Sequence, residues 1–141
     1  DMQLESGLPH IKADPSRLRQ VFNNILNNAF DAASKQEQTI LNIQTSLKSA
    51  KTASYIEVRI KDSGPGLSED IISTIFEPYA TTKKKGTGLG LAIVKKIIEE
   101  HGGSVQLENN QDGPGACAVI KLPVVSAKID EVISTKVRKA I

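Results

Sequence analysis

Residues Ser54 to Leu67 read SYIEVRIKDSGPGL, and the reading of the fold turns on them. Up to Asp62 the side chains alternate: Ile56, Val58 and Ile60 fall on one face, Glu57, Arg59 and Lys61 on the other. Period-two alternation is the mark of a strand with one buried face. Parity puts Asp62 on the apolar side, where a carboxylate is costly unless something hydrogen-bonds to it. The strand then breaks into Ser63-Gly64-Pro65-Gly66-Leu67, where glycine permits conformations closed to other residues. An acid aimed into an apolar slot behind such a turn can accept a hydrogen bond from an exocyclic amine such as that of adenine. A plain tight turn with an Asx-type bond is the alternative reading of this motif.

Upstream of the strand, Leu8 to Ala13 reads as a short apolar edge strand. Asp14-Pro15 opens a helix, with Asp as N-cap and Pro at the first helical position. The helix is expected to run to about Ser34, burying Leu18, Val21, Phe22, Ile25, Ala29 and Ala32 at helical spacing. Asn24, Asn28 and Asp31, four and three residues apart, share a polar stripe beside that face, and Arg17 falls on the same stripe. Carboxamide and carboxylate oxygens are hard ligands suited to Mg²⁺. Four asparagines between positions 23 and 28 are unusual for a helix, because Asn is a mediocre helix former. A solvated helix face is the plain alternative.

Ile40 to Leu47 alternates as a strand, and Lys48 to Ala53 makes a hairpin turn with the strand Ser54 to Asp62. Ser68 to about Phe76 reads as a short helix. Glu77 to Gly86 has no periodicity and reads as a mobile loop that is expected to lack fixed structure without nucleotide. A second long helix is expected from Thr87, as its cap, to about His101, stopped by Gly102-Gly103. Strands Ser104 to Glu108 and Ala116 to Leu122 flank a turn from Asn109 to Gly115. The order implies an α/β (α+β) two-layer sandwich, with helices on one face of a mixed, mostly antiparallel sheet. Residues 1–123 form this domain. Residues 124–141 form a tail whose Ile129, Val132, Ile133, Val137 and Ile141 suggest an amphipathic helix.

Lys83-Lys84-Lys85-Gly86-Thr87-Gly88-Leu89-Gly90-Leu91 offers lysine charge, three glycines and free N–H groups at a helix start, a combination that suits phosphate. Neither the dinucleotide fingerprint nor the P-loop signature is present.

Composition bounds the rest. The chain has 141 residues, is 39% hydrophobic and 24% charged, and carries a net charge of +2. Those values fit one soluble globular domain and give no ground for nucleic-acid or direct membrane contact. The single Cys117 excludes an internal disulfide and fits a reducing, cytoplasmic setting. No apolar run approaches the roughly 20 residues of a membrane span. The opening DMQLESGLPH, with Met second, reads as part of a longer protein whose membrane anchoring is left open.

Taken together, the motifs resemble those of sensor histidine kinases. Asn24-x-x-x-Asn28-Ala29, Asp62-Ser63-Gly64-Pro65-Gly66, Phe76-Glu77-Pro78-Tyr79 and Gly86-Thr87-Gly88-Leu89-Gly90-Leu91 look like the asparagine box, the first glycine box, the phenylalanine box and the second glycine box. These kinases share a Bergerat-type ATPase fold with gyrase, a heat-shock chaperone and the mismatch-repair ATPases. The resemblance runs from Leu8 to Pro123, and Phe76 to Lys83 is most similar to nitrogen-regulation kinases.

The resemblance implies ATP and Mg²⁺ as cofactors. It gives Asn28 and Asn24 to the metal and to catalysis, Asp62 to the adenine amine, and Gly64 and Gly66 to that pocket. Tyr79 to Lys85, with Thr82 and Lys83, would form a lid, Lys83 being a candidate γ-phosphate contact and catalytic residue. Gly86, Thr87, Gly88, Leu89, Gly90 and Leu91 would wrap the triphosphate. The phosphoryl group would pass to a histidine on a separate dimerisation domain, then to a response regulator; His10 and His101 read as structural, and this chain alone is not expected to phosphorylate itself. Asp31, Ala32 and Ala116 depart from the family's common residues. The rival readings are an ATP-driven switch of the gyrase or chaperone type, an anti-sigma-type serine kinase, and a degenerate ATP sensor.

Overall fold

The computed structural model describes residues 1–34, 36, 38–50, 53–80 and 86–125. The expected lid core, 81–85, and the tail helix, in 126–141, lie outside the described residues. In chain order the elements are β1 (Met2–Leu4), α1 (Pro15–Ala33), β2 (Leu41–Ser49), β3 (Ser54–Asp62), α2 (Glu69–Thr74), α3 (Gly90–Glu100), β4 (Ser104–Asn109) and β5 (Ala116–Pro123). The strands form one sheet in the order β1-β2-β3-β5-β4. The β1–β2 pairing is parallel and the other three are antiparallel.

Helix α1 starts as the sequence dictates. Asp14 accepts hydrogen bonds from the N–H groups of Ser16 (2.8 Å) and Arg17 (3.2 Å), and Pro15 takes the first helical position. The Ser16 hydroxyl adds a third bond at 2.7 Å. These bonds, that from the Ser16 side chain foremost, hold the Asp14 carboxyl below its usual range. Val21 and Ile25 of α1 and Val94, Ile97 and Ile98 of α3 pack on Val58 and Ile60 of β3 and Ala118, Ile120 and Leu122 of β5. Both helices therefore cover one face of the sheet, as the periodicities require. Burial of such aliphatic side chains, about 1.5–3 kcal/mol each, is the main term holding the layers together.

Helix α3 runs back along α1. His101, its C-cap residue, accepts a hydrogen bond at Nε2 from the Asp14 N–H (3.0 Å), which leaves Nδ1 to donate to the Ile97 carbonyl at 2.7 Å. Arg17 pairs with Glu100 at 2.5 Å, so its guanidinium is held at the C-terminal end of α3.

Two boundaries and one side chain's exposure depart from the sequence reading. Leu8 to Ala13 is not a strand: the sheet edge is Met2–Leu4, and Glu5 extends the join by accepting from the Leu47 N–H (2.8 Å) and donating its own N–H to Thr45 (3.1 Å). Pro9 has no N–H to give a ladder, while Ile11 packs against the core instead. Helix α3 begins at Gly90, not Thr87; Leu89 is the cap residue and no side chain caps the helix. Thr87 Oγ1 accepts only a long 3.4 Å bond from the Leu89 N–H, within the glycine loop. Finally, Glu57 points away from the helices as expected but is 9% exposed. There Arg59 reaches Glu108 at 2.6 Å and Glu57 at 3.7 Å.

Candidate functional site

A trough follows the exposed edge of α1. At one end, a Cβ on Gly64 would lie 2.9 Å from Ala32 Cβ, so the glycine turn after β3 sits directly on the last turn of α1. At the other end, a Cβ on Gly90 would lie 3.5 Å from Asn24 Oδ1, so the start of α3 sits on Asn24. Ala32 and Asn24 are two helical turns apart, about 12 Å at 1.5 Å per residue. Asn28 lies midway and, like Asn24, is half-buried. This edge of α1 thus meets the Asp62 turn at one point and the uncapped start of α3 at another, with Asn28 between them. A cavity of about 480 Å³ opens beside the start of α3, lined there by Thr87, Leu89, Gly90 and Ile93 and along α1 by Ser16, Arg19, Gln20, Asn23 and Asn24.

Asp62 is the ordered acid of the site. Its Oδ1 accepts from the N–H groups of Gly64 (2.8 Å) and Ala116 (3.2 Å). No hydrogen bond of the described residues uses the second oxygen. The 2.8 Å Gly64 bond is the Asx-type contact of a tight turn. Gly66, at φ 79°, needs the left-handed conformation that glycine supplies.

Beside the start of α3, Tyr79 and Gly88 bring together the two ends of the stretch between them. Tyr79 is the one non-glycine at positive φ (67°) among the described residues, and its N–H donates to the Gly88 carbonyl at 2.9 Å. Its ring is exposed. Leu89 and Leu91 are half-buried, and Gly86 and Thr87 are exposed. Thr82 and Lys83 lie outside the described residues. Arg17, grouped with the asparagines by spacing, is held away from the trough by Glu100. Asp31 is exposed.

Two residues of the site had no separate reading in the sequence. Asn109 and Asn110 reach across from the β4–β5 turn to the backbone of the Asp62 turn. An Asn-Asn pair ahead of Gly113-Pro114-Gly115 signals a turn, but its partners lie more than 40 residues away.

Residues 13–126 match the family described as histidine kinase-, DNA gyrase B-, and HSP90-like ATPase. The chain belongs to this family. It is therefore an ATP-binding domain, and the match covers everything from α1 to β5. Among its relatives, the sensor histidine kinase ZraS of Escherichia coli K12 is 42% identical over 117 residues, covering 83% of this chain and 24% of that protein. The sensory histidine kinase/phosphatase NtrB of Rhodobacter capsulatus is 37% identical over 133 residues, 89% of this chain and 37% of that one. The ATPase domain thus spans about a quarter of ZraS. Among solved structures, the nucleotide-free catalytic domain of histidine kinase ThkA superposes with a TM-score of 0.71 at 33% identity, covering 86% of this chain and 76% of that one. Full-length ShkA, solved with AMPPNP, gives 0.70 at 30% identity, covering 89% and 25%. Within the family these relatives are kinases, and the domain shares their fold. No described helix is long and apolar enough to cross a membrane.

Proposed function

We propose that this domain binds Mg²⁺-ATP along the α1 trough and presents the γ-phosphoryl group to a histidine on a separate dimerisation domain, as one step of two-component signalling through a response regulator. The observation that carries the reading is Asp62: one oxygen is tied into its own turn and the other is left for an exocyclic amine. A guanine would present a carbonyl there and be repelled.

The other roles follow along the trough. Gly64 and Gly66 shape the base pocket. Gly86, Thr87, Gly88, Leu89, Gly90 and Leu91 lead the chain past the phosphates into α3, whose first N–H groups and dipole favour anions. The family resemblance assigns Tyr79, Thr82 and Lys83 to a lid, with Lys83 the candidate contact to the γ-phosphate. No group of three or more His, Cys, Asp or Glu able to hold a metal occurs among the described residues. The donors at hand are the carboxamide oxygens of Asn28 and Asn24. That set fits Mg²⁺, which takes a few hard oxygens and completes its shell from phosphates and water. When bound, the ion neutralises charge on the phosphate oxygens. The protein's own part is positioning, the larger share of phosphoryl-transfer catalysis.

Transfer to a separate nucleophile is favoured over a hydrolytic switch by the composition of α1. The helix contains no glutamate, and its single acid, Asp31, lies at the far end from Gly90. Asn24 cannot take a proton from water. The test is to incubate the chain with γ-labelled ATP and the dimerisation domain of a related sensor kinase. An acid-labile, base-stable label on the dimerisation domain supports the proposal. Release of inorganic phosphate at the same rate with or without that domain, and no labelled protein, would replace it with the switch reading.

A further inference from the structure

The β4–β5 turn grips the Asp62 turn at both ends. Asn110 Nδ2 donates to the Asp62 carbonyl at 2.8 Å and, at the same distance, to the Pro114 carbonyl of its own turn. Asn109 clamps Leu67, accepting its N–H at 2.7 Å and donating to its carbonyl at 2.8 Å. The Ala116 N–H, at the foot of the same turn, donates to the Asp62 carboxylate itself. Glycines let the two turns approach this closely. A Cβ on Gly66 would lie 2.8 Å from Asn109 Oδ1, and one on Gly115, at φ 100°, would overlap the Asp62 carbonyl oxygen.

The Asn110 amide has one workable orientation. Turned over, its oxygen would face two carbonyl oxygens. Held as it is, Oδ1 is buried with no partner among the described residues. A buried orphan acceptor is unfavourable, and here it is retained in exchange for a double grip on the backbone that carries Asp62.

We infer that Asn109 and Asn110 are positioning residues of the nucleotide site, which aim the Asp62 carboxylate and thereby set the preference for adenine over guanine. The inference rests on the nucleotide-binding reading above. Nothing in it requires either asparagine to touch the ligand: both act through the backbone of residues 62 to 67. Loosening the grip lets the carboxylate swing, so the adenine contact weakens while contacts to the phosphates stay.

The test compares binding of ADP and GDP, each with Mg²⁺, to the parent chain, Asn110→Asp and Asn109→Asp, using displacement of a fluorescent nucleotide. Asn110→Asp keeps the shape but sets an anionic oxygen against two carbonyls. Asn109→Asp keeps the acceptor for Leu67 and loses the donor; Asn109→Ala serves where neither charged variant folds by circular dichroism. In the folded variants ADP affinity is expected to fall about tenfold while GDP affinity stays within about twofold, so the selectivity ratio collapses. A merely structural role would lower the melting temperature and leave the ratio unchanged. An unchanged ratio, whether both affinities hold or fall together, overturns the inference while leaving ADP binding by the parent intact. Failure of the parent to bind ADP takes down the nucleotide reading as well.

Discussion

Tyr79 and Gly88 meet backbone to backbone: the Tyr79 N–H donates to the Gly88 carbonyl, and both residues sit at positive φ, 67° and 69°. A Cβ on Gly88 would lie 2.6 Å from the Tyr79 Cα. The contact fixes where the chain leaves the phenylalanine-box segment and where it enters α3. Gly88→Ala therefore forces the two strands of this neck apart, in addition to backbone strain of about 1–3 kcal/mol. The expected result is a folded protein whose affinity for ADP is reduced about tenfold or more, with the loss largest for the phosphate-bearing part of the ligand. Titration of ADP beside adenosine checks this; an equal loss for both would contradict it.

The contact between Gly64 and Ala32 is tight enough to be read by a double-mutant cycle. Gly64→Ala places a methyl 2.9 Å from the Ala32 methyl, and overpacking of this kind costs about 1–3 kcal/mol. Ala32→Gly removes that one contact, leaving those to Asp62 Oδ1 (2.9 Å) and the carbonyl carbon of residue 32 (3.0 Å), and loses about 1 kcal/mol of helix propensity. The double variant should be more stable than the sum of the two single changes implies, measured by urea unfolding. Simple additivity would mean that the Ala32 methyl is not what a side chain at position 64 meets.

His101 ties the end of α3 to the start of α1 through two hydrogen bonds, to Asp14 and Ile97. His101→Phe keeps the ring and removes both, leaving the exposed Asp14 N–H without its protein partner, while the Ile97 carbonyl keeps its bond from the backbone N–H of residue 101 (3.2 Å). A loss of about 0.5–1.5 kcal/mol is expected by urea unfolding, with ADP affinity little changed because the proposed nucleotide contacts lie at the Gly90 end of α3.

The cap at Asp14 gives a pH dependence of definite sign. The Ser16 side chain and the N–H groups of Ser16 and Arg17 lower the folded carboxyl's pKa. Its contribution is therefore present above the unfolded carboxylate range and is lost as pH falls through the lowered folded value. Comparing melting temperatures of the parent and Asp14→Ala, the parent should lead at neutral pH and the gap should close in acid. A gap that widens in acid would contradict the cap.

Much of this was legible because the signals are local. Asp14-Pro15 marks the start of α1 within a few residues, and the alternation from Ile56 to Asp62 marks β3 and the face that Asp62 shares. The rest depends on distant partners. Met2–Leu4 has no strand signature of its own and is a strand because β2 and Glu5 make it one. Thr87 fits a helix cap by residue type, yet the glycines around it extend the loop, so α3 starts three residues later. Asn109 and Asn110 read only as turn formers until the fold brings them over residues 62 to 67.

Asp62 is expected to read adenine, and the most direct measurement is calorimetric titration of ADP with Mg²⁺ into the parent chain and Asp62→Ala. Removing a hydrogen bond to a charged group is worth about 1.5–3 kcal/mol, so binding by the parent should weaken at least about tenfold in a variant that remains folded. Equal binding by a folded Asp62→Ala, or no binding by the folded parent, would contradict the account.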